Sequence, residues 1–404
     1  MNHPQAMNRI KQFLGQTVFP FFINRLSSGH KILFAAVLVQ LLAFDSSGQF
    51  VHPGMLLNRA ELDFVKGKIK SGEEPWKTAW DKLRADPHAR LDRKAKPMAN
   101  VFRGPYNRPD IGANNMGNDA QAAYIHSLEW VLTGDPQHAE KAIELINAWS
   151  YHLHSIMGSD QQLLAGIVGF KFCNAADILK STSDKWKPAD QDQFRKMLLN
   201  VFYPLIKGYK PTSYGNWDAA MIVTTMCIGI FTDNREMYDI AIKYAQTGKS
   251  TGAIPNYIYP SGQCQESGRD QAHTQLGLGF IGDICEVAWK QGDDLYSAFD
   301  NRVAAGYEYA AKYNLNFDVS YDPVPDVFGN HRNPKISEDK RGIFRPIYEM
   351  VYHHYHDRVG LEMKYTKLVL ERIRPEGYHW DHPSFGTLLY ENLPAFPKGY
   401  RPKG

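Results

Sequence analysis

Beyond its first fifty residues the chain alternates two kinds of helix-length segment, and that alternation limits its possible folds more than any other feature. Apolar residues recur three and four apart rather than two, and Pro and Gly punctuate the segments. Residues 119–132 lead through Thr133-Gly134-Asp135 into 137–154, where Ala139, Ala142, Ile143, Ile146 and Trp149 share a face. The same plan returns in 161–179 with 188–206, 217–231 with 237–244, 274–290 with 296–313, and 344–355 with 361–373, which makes about five helical hairpins. Residues 219–230 and 276–288 are apolar nearly all round, whereas their partners are amphipathic with charged outer faces. A helix apolar all round must be buried. Pairing it with a half-exposed one predicts an all-α fold, an (α/α) barrel or toroid whose inner ring is shielded by an outer ring. The alternative is an open solenoid, but no short strict repeat supports it. Strand-like alternation is scarce, so residues 49–404 read as a single toroid domain.

A length of 404 residues suits one large core. The formal charge is +3, and Arg9, Lys11, Arg25 and Lys31 against Asp45 place that excess in the first 48 residues. The remainder is balanced and has no long basic run, which argues against a nucleic-acid partner and against a membrane-surface role. Residues 32–44 form an apolar run preceded by Lys31 and followed by Ser46, Ser47 and Gly48, the pattern of a signal peptide with an N-terminal extension. Residues 1–48 are therefore expected to be an export signal cleaved near residue 48, giving a periplasmic or secreted protein with no membrane contact beyond that signal. The run is shorter than the ~20 residues of a membrane span, with an uncleaved anchor as the alternative. Cys173, Cys227, Cys264 and Cys285 are scattered singly, which is neither metal-knuckle nor disulfide-scaffold spacing, and they read as small buried apolar residues.

A toroid opens its cleft at one end of the inner helices, so functional side chains belong in the loops before buried helices and in their first turns. Four polar segments qualify: 114–118, 213–218, 263–275 and the long loop 316–341. If 266–275 opens a helix, Glu266, Arg269, His273 and Gln275 gather near one face. The structural alternative is an ion pair with a core histidine, yet the apolar turns that follow make a polar cluster there more telling. Asn216 and Trp217 repeat the arrangement, with helix capping and core packing as their plainer uses. Asn115 lies in a weaker version, where turn chemistry alone would account for the asparagines. His152, His154, His353, His354 and His356 lack the His-Glu-x-x-His pattern, so no metal is expected.

Taken in order, His52-Pro53-Gly54, Asn118-Asp119, Thr133-Gly134-Asp135, Asn216-Trp217-Asp218-Ala219-Ala220, Glu266-x-x-Arg269-Asp270-x-x-His273 and Arg345-Pro346-x-Tyr348-Glu349 resemble the alginate lyase superfamily of α/α-toroid polysaccharide lyases. The closest branch is polysaccharide lyase family 38, the glucuronan and alginate lyases, and the likeness runs from about Val51 onward. The resemblance implies β-elimination on a (1→4)-linked polyuronate, alginate or glucuronan, without a cofactor. In that scheme Asn216, helped by Arg269 or Gln275, neutralises the uronate carboxylate so that C5 becomes acidic. His273 is the base, and a tyrosine protonates the leaving O4. The better-known family pattern has His directly after this Asn; here Trp217 stands there, and His273 takes the role. Tyr321 is the chosen acid, with Tyr348, Tyr259 and Tyr214 as alternatives. Asn115, Trp217, Gln275, His331 and Arg332 are expected to hold the acidic polysaccharide. The rival readings are an α/α-barrel hydrolase using two of Asp218, Glu266 and Asp270, and a non-catalytic glycan-binding protein.

Overall fold

The computed structural model describes residues 49–394. The expected export signal lies outside these residues. The main helices in chain order are α1 (Arg59–Ser71), α2 (Trp76–Arg84), α3 (Ala113–Thr133), α4 (Pro136–His152), α5 (Gln161–Thr182), α6 (Pro188–Met197), α7 (Gly215–Phe231), α8 (Arg235–Thr247), α9 (Gln271–Lys290), α10 (Ala298–Asn314), α11 (Tyr348–Tyr352), α12 (Lys364–Ile373) and α13 (Gly386–Tyr390).

Burial separates them as the hydrophobic pattern predicts. Every residue of α7 except Trp217 is buried, while α8 buries only Met237, Tyr238, Ala241 and Ala245. The inner helices pack in the order α1, α3, α5, α7, α9, α11, α13, and α13 returns to α1, so the ring closes. An open solenoid would leave its first and last members apart. Outside the ring, α4 covers α3 and α5, α8 covers α7, and α10 covers α9. Helix α5 is long and apolar enough to cross a membrane, but nearly all of it is sealed inside the ring, so it is a core helix. The four cysteines are buried and free.

One end of the ring is sealed by the segment that precedes α1. His52 bridges Asp177 at 2.6 Å and Asp233 at 3.1 Å, the Gly54 amide donates to Asp177 at 2.9 Å, and the Val51 amide donates to Gln291 at 2.9 Å. Asp177 lies in the penultimate turn of α5, and Asp233 and Gln291 just past the C-terminal ends of α7 and α9. Gly54 has to be glycine here, because a Cβ would stand 2.2 Å from the Val51 carbonyl oxygen. The expected alternation misses two features. Helices α1 and α2 complete the ring's edge, and a small sheet of order β2-β1-β3 lies at the opposite end. Strand β1 (Asn100–Arg103) runs antiparallel to β2 (Asp110–Ile111) with Arg103 opposite Asp110, and parallel to β3 (Ser155–Met157) with Val101 opposite Ile156.

Two local expectations change. Residues 114–118 are helical rather than loop, because the Asp110 carboxylate accepts from the Ala113 amide at 2.8 Å and starts α3 earlier than three asparagines would by themselves. Helix α9 begins at Gln271, not at Glu266, because Asp270 caps it by accepting from the His273 amide at 2.7 Å. Glu266 and Arg269 sit in the turn before it.

Candidate active site

The open end of the ring carries a cleft of about 430 Å³. Its walls come from just before or within the first turns of α5 (Asp160, Leu163), α7 (Tyr214, Trp217) and α9 (Arg269, His273, Leu276), from the approaches to α11 and α13 (Arg345, Asp381), from β1 (Arg103) and from His331 of the long loop. The inner helices thus present their N-termini to the cleft, and the unpaired amides and dipoles there favour an anion.

His273 is held on both sides. Its Nδ1 lies 2.5 Å from the Asp270 carboxylate, and its Nε2 lies 3.2 Å from Arg269 Nη2. With Nδ1–H donated to the carboxylate and Arg269 donating to Nε2, the lone pair is fixed on Nε2. Burial works against the Asp270 charge, but the hydrogen bonds from His273 hold its carboxyl below the ordinary range.

Arg269 donates to Glu266 at 2.8 Å and lies 4.0 Å over the ring of Tyr214. Tyr214 in turn stacks on His331 at 3.9 Å, and His331 Nδ1 lies 2.6 Å from Asp326. Burial raises the Tyr214 phenol above its usual value although Arg269 opposes this, so Tyr214 stays protonated. Arg345 donates to Asp381, and that neighbouring guanidinium outweighs burial to hold the aspartate well below the carboxylate range. Arg103 differs from both other arginines. Its Nε donates to Asn107 at 2.6 Å, but its Nη1 is buried with no hydrogen-bond partner among the described residues. Burial lowers its pKa.

Of the residues singled out from the sequence, the cleft gathers Arg269, His273, Trp217 and His331. Five do not line it. Asn216 is fully buried behind the wall, and its side-chain amide donates to both oxygens of Glu266 at 2.7 and 2.8 Å, so it has no donor left for a sugar carboxylate. Glu266 also accepts from the Asn216 backbone at 3.0 Å, which makes it the anion at the head of α7. The Tyr321 hydroxyl donates to the Asn333 carbonyl at 3.0 Å, packed so closely on Gly268 that a Cβ there would come within 2.3 Å of it. Gln275 is buried with both ends engaged: it donates to the Gln271 and Ile343 carbonyls and accepts from the Arg345 amide and the Tyr348 hydroxyl. Arg332 is exposed, with Nε on the Pro323 carbonyl, and Asn115 sits half-buried in the first turn of α3. Among the alternative tyrosines, only Tyr214 reaches the cleft.

The carboxylates considered for a hydrolase are likewise engaged. Glu266 is bound to Asn216 and Arg269, Asp270 caps α9, and Asp218 is buried, accepts from the Lys210 amide at 2.6 Å, and is pushed up to about 6 by burial. Sequence reasoning missed Arg103, Asp160 and Asp381. Arg103 stands on a four-residue strand that no periodicity could reveal. Arg345 was visible in the Arg345-Pro346 motif but had no assigned role.

A family model described as alginate lyase matches residues 71–319. Among solved structures, the chain resembles alginate lyase A1-III from Sphingomonas species A1 with a TM-score of 0.60 at 13% identity, covering 81% of this chain and 94% of that one. The apo form of a histidine-to-alanine variant of alginate lyase A1-III aligns with a TM-score of 0.60 at 14% identity over 84% and 95% of the two chains. A tyrosine-to-phenylalanine variant complexed with a tetrasaccharide aligns with a TM-score of 0.57 at 15% identity over 88% and 99%. At these identities the likeness is one of fold. No curated protein matches the chain.

Proposed function

The chain belongs to the alginate lyase family and is a polysaccharide lyase, and we propose that it cleaves a (1→4)-linked polyuronate, alginate or glucuronan, by β-elimination in the cleft at the open end of the ring. The observation that carries this reading is the convergence there of an oriented imidazole, a protonated phenol and three guanidinium groups, from Arg103, Arg269 and Arg345. An export signal over residues 1–48 would suit a substrate met outside the cell.

The C5 proton of a uronate resists removal because the adjacent carboxylate repels further negative charge. Guanidinium groups fixed beside that carboxylate stabilise the enolate-like transition state, an effect worth several kcal/mol for preorganised donors. Arg103 and Arg345, whose side chains line the cleft, take this task. His273 Nε2 accepts the C5 proton once the substrate carboxylate draws the Arg269 N–H away from it. The C5–H electron pair forms the C4=C5 double bond, the C4–O4 bond breaks, and Tyr214 protonates O4 as it leaves. Trp217 offers an aromatic face to a neighbouring ring, and His331 backs Tyr214. Asn216 and Glu266 become positioning residues, since they anchor Arg269, which in turn contacts both His273 and Tyr214.

Incubation with a panel of alginate, polymannuronate, polyguluronate and glucuronan tests the proposal. Elimination leaves an unsaturated uronate that absorbs ultraviolet light, and hydrolysis does not. Tyr214→Phe is expected to lower kcat by about 10²-fold or more with little change in KM, since general-acid assistance contributes roughly 10²–10⁴. Reducing ends without ultraviolet absorbance would refute elimination, and unchanged turnover in Tyr214→Phe would remove the acid assignment.

A further inference from the structure

Far from the cleft, α3 and α4 bring three metal-ligating side chains to one point. His126 and Glu129 lie one turn apart on α3, and His138 stands in the first turn of α4, across the Thr133-Gly134-Asp135 turn. His126 Nδ1 is 2.8 Å from His138 Nδ1, and Glu129 Oε2 is 3.3 Å from the first and 3.0 Å from the second. His126 and Glu129 are buried, whereas the His138 side chain keeps 13% of its surface in solvent.

Hydrogen bonding accounts for this arrangement only in part. Glu129 Oε2, buried between the two imidazoles, meets them only at poor angles, and among the described residues His126 Nε2 has no well-formed partner. Leaving such groups unpaired is costly. A tetrahedral Zn²⁺ ion with bonds of about 2.0–2.2 Å spaces its ligand atoms about 3.4 Å apart, only a few tenths of an ångström wider than this triangle. Two imidazole nitrogens and one carboxylate oxygen suit a borderline transition ion and not Mg²⁺ or Ca²⁺, which prefer oxygen. A second cluster, Glu349, His353 and Glu391, has the same ligand types but already holds a cation, because Arg374 lies 2.7 Å from Glu349 and 3.0 Å from Glu391.

We propose that His126, Glu129 and His138 form a transition-metal site of the Zn²⁺ class, with solvent as fourth ligand on the His138 side, that pins α3 to α4. The site was not legible as a motif, because its third member lies across a hairpin turn. It stands about eleven residues along α3 from the cleft-end residue Asn115, roughly 16 Å at the helical rise. Its role is therefore structural. The ligands bind metal only as neutral imidazoles and carboxylate, so affinity falls as pH drops.

The test uses the full chain, stripped with chelator and titrated with Co²⁺ alone, then with Zn²⁺ alone. One equivalent of Co²⁺ giving the intense visible absorption of a tetrahedral complex, displaced by Zn²⁺, is the expected result. His138→Ala, at a partly exposed position that keeps the fold, is expected to weaken Co²⁺ binding by more than roughly 10²-fold, beyond what loss of a supporting partner costs. Zn²⁺ should raise the Tm of the unsubstituted chain and not that of the variant, while lyase turnover stays unchanged in both. Absence of saturable Co²⁺ binding, or equal binding by His138→Ala, would overturn the site and leave a proton-sharing His-Glu-His cluster.

Discussion

The two ends of the same ring of helices spend their charges differently. At the sealed end, Lys290 is wholly buried, 2.5 Å from both Glu61 and Glu286, and Arg358 reaches Glu61 at 3.3 Å. Burial works to raise the Glu286 carboxyl, yet Lys290 and Arg358 hold it below its ordinary value. These groups are turned inward, and their partners are fixed. At the open end, Arg269, Arg345 and His273 are also paired, but each keeps part of its side chain in the cleft, as does Arg103. Both ends are rich in charged residues, so counting charges does not separate stability from chemistry. What separates them is whether a paired group still faces a space that a substrate can enter.

The widest split is expected from one substitution at each end. His273→Ala should reduce formation of unsaturated product by about 10²–10⁴-fold, the contribution of a general base, with a Tm close to that of the parent. Lys290→Ala should act in reverse. It leaves two buried carboxylates facing Arg358, and breaking a buried pair costs about 3–5 kcal/mol, so a large fall in Tm is expected with kcat retained by the folded fraction. Thermal melts and initial rates on both variants decide the matter. Loss of activity without loss of stability in Lys290→Ala would break the comparison.

Much of this division was legible in the sequence, for a definite reason. Buried helices such as α7 and α9 must be apolar all round, so the pattern exposes the inner ring, and polar residues at their heads then stand out. That logic singled out Arg269, His273 and Trp217, which line the cleft. It failed where one residue type serves two uses. Asn216 looks like a donor for a ligand, but its amide is consumed by Glu266, a contact between positions fifty apart that no spacing reveals. Tyr321 failed similarly, since a tyrosine in a polar loop gives no sign that its hydroxyl is committed to a backbone carbonyl. The His52-Pro53-Gly54 motif proved to be part of the seal, and Asp119 of the Asn118-Asp119 pair is structural too, bound to Arg93 at 2.8 Å and Trp149 at 2.9 Å. Arg103 was invisible because short strands carry no period.

Arg103 sharpens the comparison at the open end. If the Arg103 guanidinium serves the uronate carboxylate, Arg103→Ala should lower kcat/KM by about tenfold to a hundredfold, as expected for a hydrogen bond to a charged group worth about 1.5–3 kcal/mol. Arg103→Lys should recover part of that loss, because it restores charge without the planar fork. Steady-state rates on polymer and on a short oligouronate measure it. Equal kcat/KM in all three proteins would mean that the Arg103 guanidinium does not meet the substrate.

The smallest expected effect lies at the sealed end and is a matter of pH. His354 stacks on Tyr296 at 3.6 Å and meets the edge of Trp289 at 4.8 Å. Burial pushes its pKa down to about 3, with Glu286 and Asp294 opposing that shift and Arg358 and Lys290 adding to it. A histidine whose folded pKa lies below its unfolded value is neutral when folded, so below about pH 6.5 the unfolded chain takes up a proton that the folded chain refuses. Its contribution is complete above pH 6.5 and drains away as pH falls toward 3, by roughly 1.4 kcal/mol for each unit of pH. His354→Phe keeps a flat ring in the stack and removes the titration. The Tm of the variant should therefore fall less steeply than that of the parent between pH 6.5 and 5. Parallel slopes in His354→Phe and the parent would place the acid sensitivity elsewhere, with His379, pushed down to about 4 by burial beside Arg345, as the next group to replace.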